Sequence, residues 1–191
     1  MREVKPVEVR KQEILHAAIK VFKEKGYDKT SISDIATSLK ISQGLCYRYF
    51  KSKEEIFESA VDVYAGYIAD KMIEVLCNPK MNLLEKIIYI PNFSDIEKEN
   101  KEYYDIFHGQ GADSFHDRLS LNICKKVCPH VQRLLTEECE KGQLRLKDPK
   151  TAASFMVFGQ LGILIDKEIE GEKKNIKIME FIKSVLEEIT L

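Results

Sequence analysis

No stretch of this chain stays apolar long enough to cross a membrane. The longest uncharged run, Thr151 to Ile165, is shorter than the ~20 apolar residues a spanning helix needs. The N-terminus, MREVKPVEVRKQ, is charged and lacks the apolar centre of a secretory signal. Cysteine is scarce: five residues, an odd and scattered set. That excludes a disulfide framework and fits a reducing compartment. No Gly/Ser-rich linker, internal repeat, low-complexity segment or convincing strand interrupts the 191 residues. These absences point to a soluble, cytoplasmic, all-α protein with no membrane partner, made of one or two small domains. A content of 44% hydrophobic residues suffices for a buried core.

Net charge is also nearly absent, at −1, but the balance hides an asymmetry. Residues 1–53 carry 12 of the 30 Lys/Arg and 6 of the 31 Asp/Glu, a surplus of six. The remainder carries 18 against 25, a deficit of seven. A basic head on an acidic body is the footprint of a protein that sets one end on phosphates.

The organising stretch is Thr30 to Phe50, TSISDIATSLKISQGLCYRYF. Ser31 with Asp34 reads as a capping box. Ile32, Ile35, Ala36 and Leu39 follow at helical spacing. Lys40-Ile41 makes a corner, and Ser42 caps a second helix from Gln43 to Phe50. A helix, a tight turn and a second helix is the helix-turn-helix plan, whose second helix enters the DNA major groove. A preceding helix begins near Val7 or Glu8 and buries Ile14, Leu15, Ala18, Ile19 and Phe22, with Gly26 ending it. A fourth opens on the capping box Ser52-Lys53-Glu54-Glu55 and runs to Asn78-Pro79. At ~1.5 Å per residue it is more than 30 Å long, a rigid lever between head and body.

The same residues carry a resemblance. Gly26-Tyr27, Thr30-Ser31, Ile35-Ala36, Ser42-Gln43-Gly44, Tyr47-Arg48-Tyr49-Phe50 and Lys51-Ser52-Lys53 resemble the DNA-binding domain of TetR/AcrR-family transcriptional regulators. The likeness covers roughly the first third of the chain. Lys40 departs from it, since the family usually has glycine in that turn. A backbone with positive φ makes lysine an uncommon choice there. The resemblance implies a helix-turn-helix domain at 1–53 and a helical ligand-binding and dimerisation domain at 54–191. It also implies a homodimer on double-stranded operator DNA that responds to a small-molecule effector, with no cofactor.

Helix starts bind phosphate through their unpaired N–H groups, so the starts after Ser31, Ser42 and at Lys53 are candidate backbone contacts. Tyr47 and Lys53 match family positions that touch the DNA backbone, and Ser33 matches one that sometimes reaches a base. Gln43, Leu45, Arg48 and Tyr49 are candidates for base edges: Gln pairs with adenine, Arg with guanine, and an apolar side chain meets a thymine methyl. Gly44 removes a side chain where the helix start approaches the duplex. Leu45 and Tyr49 also fit an inward-packed position, and Cys46 and Phe50 read as core.

The body reads as helices over Leu83 to Ile90, Asp95 to His108, Asp113 to Lys141 (with Pro129 a kink or break), from Asp148-Pro149 onward, and Asn175 to Thr190. Candidate effector-lining residues are Tyr64, Ile68, Met72, Ile87, Ile88, Phe93, Tyr103, Tyr104, Phe107, Phe115, Met156 and Gln160, which also fit plain core. The helix through Thr151–Ile165 is apolar nearly all round, so it is buried on more than one side. With the last helix it forms a dimer-face expectation made of Phe155, Phe158, Gly159, Gly162, Ile178, Phe181, Ile182, Val185 and Ile189. Cys124, Cys128 and His130, with His108 and His116, raise a metal or enzyme reading, but their spacing matches no tetrahedral zinc pattern. Gly109-Gln110-Gly111 has neither a preceding strand nor a downstream Gly-Lys-Ser/Thr. A DNA-binding dimer without an effector is the other alternative.

Overall fold

The computed structural model describes residues 5–89, 113–166 and 168–191. Helix α1 (Val7–Lys25) starts directly after Pro6, whose carbonyl accepts from Arg10 N–H at 3.0 Å. It buries Ile14, Leu15, Ala18, Ile19, Val21 and Phe22 and ends at Gly26, whose φ is 82°. Then come α2 (Ile32–Ser38), α3 (Gln43–Tyr47) and the long α4 (Lys53–Leu76). The body holds α5 (Leu83–Tyr89), α6 (Asp113–Glu140), α7 (Pro149–Gly159), α8 (Leu161–Leu164) and α9 (Gly171–Ile189). The fold class is all-α, as expected, and an isolated bridge between Leu144 and Thr190 ties the end of α9 to the α6–α7 connection.

Local chemistry explains most boundaries. At α4, Ser52 Oγ accepts from Glu55 N–H at 3.0 Å, but the Glu55 carboxylate reaches Lys51 N–H rather than Ser52 N–H. The expected capping box is therefore half formed, closed one residue further out. Asp148 caps α7 through Thr151 N–H, and Pro149 fills its first position, where no N–H is needed. Helix α6 ends at Gly142, φ 71°, with Gln143 N–H on Glu138 O and Gly142 N–H on Cys139 O. That pair of bonds is a Schellman cap.

Three expectations are corrected. Pro129 does not break α6, which contradicts the break but not the kink of that expectation: Pro129 and Lys125, whose carbonyl loses its helical partner, are both exposed, where water can reach the missing bond. The apolar stretch Thr151–Ile165 is not one helix but α7 and α8, separated at Gln160. The recognition helix is shorter than expected, because Arg48 N–H and Tyr49 N–H bond three residues back, to Leu45 O and Cys46 O, which tightens the end after Tyr47. The expected helix Asp95–His108, with Phe93, Tyr103, Tyr104 and Phe107, lies outside the described residues, as do the side chains of Ile88 and Phe115.

The packing runs from head to body without a gap. One cluster of buried residues passes from Ile14 and Phe22 through Ile35, Cys46 and Phe50, along α4 from Ile56 to Leu76, and onto Leu119, Ile123, Val127 and Leu134 of α6. Helix α6 lies along α4 on one side and α7 on the other. Ion pairs bridge α4 and α6 on the surface: Arg118 with Glu54 and Glu58, and Lys126 with Asp62 at 2.8 Å.

Candidate nucleic-acid interface and body cavity

The corner between α2 and α3 is built on Lys40. Its φ is 54°. Lys40 N–H bonds Thr37 O and Ile41 N–H bonds Ala36 O, each at 3.0 Å. This is a second Schellman cap with lysine at the left-handed position, which costs a non-glycine residue ~1–2 kcal/mol. It also turns Ile41 back onto the core, which fixes the angle at which α3 leaves.

Helix α3 then sorts its side chains. Cys46 and Phe50 are buried at 1% and 4% exposure. Gln43, Gly44, Tyr47 and Arg48 are exposed and Leu45 is half-buried. Arg48 makes no ion pair among the described residues. Packing within the chain does not require glycine at 44, since a Cβ there would meet nothing within 4 Å. Tyr49 is half-buried, with part of its side chain packed against the core.

The helix-start residues divide. Ser31 is exposed, but its hydroxyl accepts from Asp34 N–H, and Asp34 accepts in turn from Ser31 N–H and from Lys25 Nζ at 2.6 Å. The Asp34 carboxyl is held well below the usual range, first by Lys25 and then by Ser31. The start of α2 thus already carries its own anion beside the exposed Ser31. Ser33 is exposed. Ser42 stands at the N-cap of α3 without a side-chain capping bond.

Lys53, a candidate backbone contact, also has partners within the chain. Its ammonium donates to Tyr27 O at 2.7 Å and lies 4.3 Å from the centroid of the Tyr27 ring. Tyr27 also packs against Phe22 and Phe57, with centroids 5.3 and 5.1 Å apart. Thr30, buried, donates to Gly26 O at 2.8 Å. Gly26, Tyr27, Thr30 and Lys53 therefore form the joint that locks α1 to α4. Sequence reasoning grouped Lys53 with the DNA contacts and missed this role; a lysine paired with an aromatic 26 residues upstream leaves no local periodicity.

In the body, a cavity of about 130 Å³ lies among α4, α5, α6, α7, α8 and α9. Of the expected effector residues, Met72, Ile87, Met156 and Gln160 line it. Tyr64 and Ile68 do not: they are buried in the cluster shared with the head. Residues that sequence reasoning missed include Ser120, Ile123, Cys124 and Val127 on α6, in a segment set aside for its cysteines. The Cys124 thiol donates to Val157 O at 3.4 Å and is pushed up to about 11 by burial and by Cys128 beside it. His130 faces elsewhere, 3.7 Å from Cys77 and 3.2 Å from Arg133. Among the described residues no three His, Cys, Asp or Glu side chains gather as a metal site.

A second, outward-facing groove of about 490 Å³ runs between α7 and α9, lined by Phe155, Gly159, Ile163, Phe181, Ile182 and Val185 among others. Phe155 and Phe181 are 77% and 61% exposed. Gly159 and Gly162 border open space. From the expected dimer face, Phe158 turns inward against Cys124 and Cys128, Ile189 packs on Leu135 and Leu144, and Ile178 is buried.

Residues 14–60 match the family model described as bacterial regulatory proteins, tetR family. The regulator HbdR of Aromatoleum sp. is 38% identical over 87 residues, 44% of this chain and 38% of HbdR. The biofilm operon negative regulator IcaR of Staphylococcus aureus is 41% identical over 58 residues, 30% of this chain and 31% of IcaR. The chain thus matches only about a third of the length of either relative. Over the whole fold, the solved structure of SmeT, repressor of the Stenotrophomonas maltophilia multidrug efflux pump SmeDEF, aligns with a TM-score of 0.66 at 19% identity, covering 95% of this chain and 90% of SmeT. Residues 14–60 thus carry a head of the tetR family of bacterial regulatory proteins, and the chain as a whole shares the fold of SmeT.

Proposed function

We propose that this protein is a dimeric repressor that binds a pseudo-palindromic site in duplex DNA and leaves it when a small apolar or aromatic molecule enters the body. The observation that carries the reading is the exposed row Gln43, Gly44, Tyr47 and Arg48 on a helix anchored from behind by Cys46 and Phe50. Polar side chains held rigidly on one side of a short helix are what base readout needs. Tyr47 and Ser42 serve the backbone, and Gln43 and Arg48, with Leu45 beside them, serve the bases. IcaR is a negative transcriptional regulator and SmeT a repressor, which supports the sign.

The α7–α9 groove supports the dimer. Large aromatic side chains such as Phe155 and Phe181 rarely stand side by side in water unless something covers them. A twofold partner seated there would present two heads to two half-sites. The cavity beside the groove supports an effector.

Selection of bound duplexes from a random pool tests this. The expected result is an enriched inverted repeat with half-sites related by a dyad, protected symmetrically in a footprint. A pool that fails to enrich, or enriches a single unrepeated site, overturns the reading.

A further inference from the structure

Half-buried helical hydroxyls in this protein bond to their own helix backbone. Ser59 donates to Glu55 O, Thr136 to Gln132 O and Ser154 to Lys150 O, each one turn back along its own helix. Ser120 on α6 is 1% exposed, and its Oγ has no hydrogen-bond partner among the described residues. It lines the body cavity. Leaving a buried hydroxyl unpaired is costly, so its position calls for a partner inside the cavity.

The rest of the lining defines what that partner is. No charged side chain contributes to it among the described residues. Cys124 spends its S–H on Val157 O and Gln160 its amide N–H on Met156 O, the latter at 2.9 Å. The other lining residues are aliphatic or methionine. An ion there would find no countercharge among the described residues, and burying an uncompensated charge is prohibitive. The volume of about 130 Å³ is close to the ~150 Å³ of an apolar cavity that takes benzene.

Resting on the reading of the body as an effector site, we propose that this cavity binds an uncharged molecule about the size of one six-membered ring, with a single hydrogen-bonding oxygen held by Ser120 Oγ. Met156, Gln160, Ile178 and Ile182 border both this cavity and the outer groove. A bound molecule therefore presses on the wall that the proposed partner also touches.

Titration calorimetry of the full chain with phenol, toluene and benzoate tests the assignment, alongside gel shifts on the duplex enriched by selection. Phenol is expected to bind at least tenfold more tightly than benzoate. Ser120→Ala is expected to weaken phenol about fivefold, to leave toluene unchanged, and to raise the melting temperature of the unliganded chain by about 2–4 °C by removing the unpaired hydroxyl. A purely structural serine would lower it. Equal phenol binding by Ser120→Ala, benzoate binding that matches phenol, or no binding of phenol and toluene with the gel shift intact would overturn the cavity assignment alone. Failure of the unliganded chain to shift DNA overturns the regulator reading and this assignment with it.

Discussion

With φ at 54°, Lys40 holds the left-handed conformation that closes the turn between α2 and α3. Only its backbone is used in the cap, so its side chain contributes nothing that offsets the strain. Lys40→Gly should therefore stabilise the protein by about 1 kcal/mol, read as a rise in thermal midpoint with a similar DNA footprint; an unchanged or lower midpoint would contradict this. Asp34 is the second residue whose chemistry gives a direction. Its carboxyl is depressed by Lys25 and Ser31. A group lowered in the folded state contributes stability that is fully present above its unfolded pKa of about 4 and is lost as pH falls through the folded value. Asp34→Asn should lower the melting temperature at neutral pH, and its gap from the parent chain should narrow below about pH 4. A gap constant across that range would mean that the Lys25 and Ser31 contacts do not hold in solution.

At the scale of elements, α3 works because neighbours hold it, not because five residues make a stable helix. Its inner side is anchored by Cys46 and Phe50 and its start is aimed by the Lys40 turn. Its outer side chains are consequently replaceable without unfolding. Arg48→Ala or Gln43→Ala should cost about 1–3 kcal/mol against the preferred half-site and little against other sequences, whereas Tyr47→Ala should weaken all duplexes alike. Competition binding with matched and scrambled duplexes separates the two classes; identical behaviour of both would refute the division. Lys53 belongs to a different element pair. Because its ammonium binds Tyr27 O, Lys53→Met should lower the melting temperature of the whole chain as well as weaken DNA binding. Weaker binding with an unchanged melting temperature would return Lys53 to the role of a plain phosphate contact.

On the scale of the whole molecule, the buried cluster crosses from α1–α3 through α4 into α6, and Arg118 and Lys126 tie the flanks of α4 and α6. Head and body therefore share one continuous core, in which α4 joins α6 to the helix-turn-helix. The packing continues across the division expected at residue 53. The proposed dimer belongs to the same scale. Phe155→Asp or Phe181→Asp places an unpaired charge in the α7–α9 groove, and should raise the dimer dissociation constant at least ~30-fold, on the scale of a central interface residue. Sedimentation velocity across a dilution series would show it. Retention of the parent's dimer by both variants would move the interface elsewhere.

Much of this protein is written in short-range pattern. Caps at Ser31, Ser52, Asp148 and Gly142, and 3.6-residue spacing in α1 and α4, are local events between residues a turn apart, so the sequence by itself determined α1, α2 and α4, their order and the exposed character of Gln43 and Arg48. Tertiary structure alone decided matters that depend on residues far apart in the chain. Tyr49 and Phe158 turn inward because a neighbouring helix offers apolar surface. Lys53 is drawn to a carbonyl 26 residues away, and Tyr64 and Ile68 join the core rather than the cavity. An apolar residue at helical spacing looks the same whether it meets a core, a ligand or a second subunit. Only the position of the facing element distinguishes them, which is why Ser120, one serine on a polar-looking helix, becomes informative only once α4 and α7 close around it.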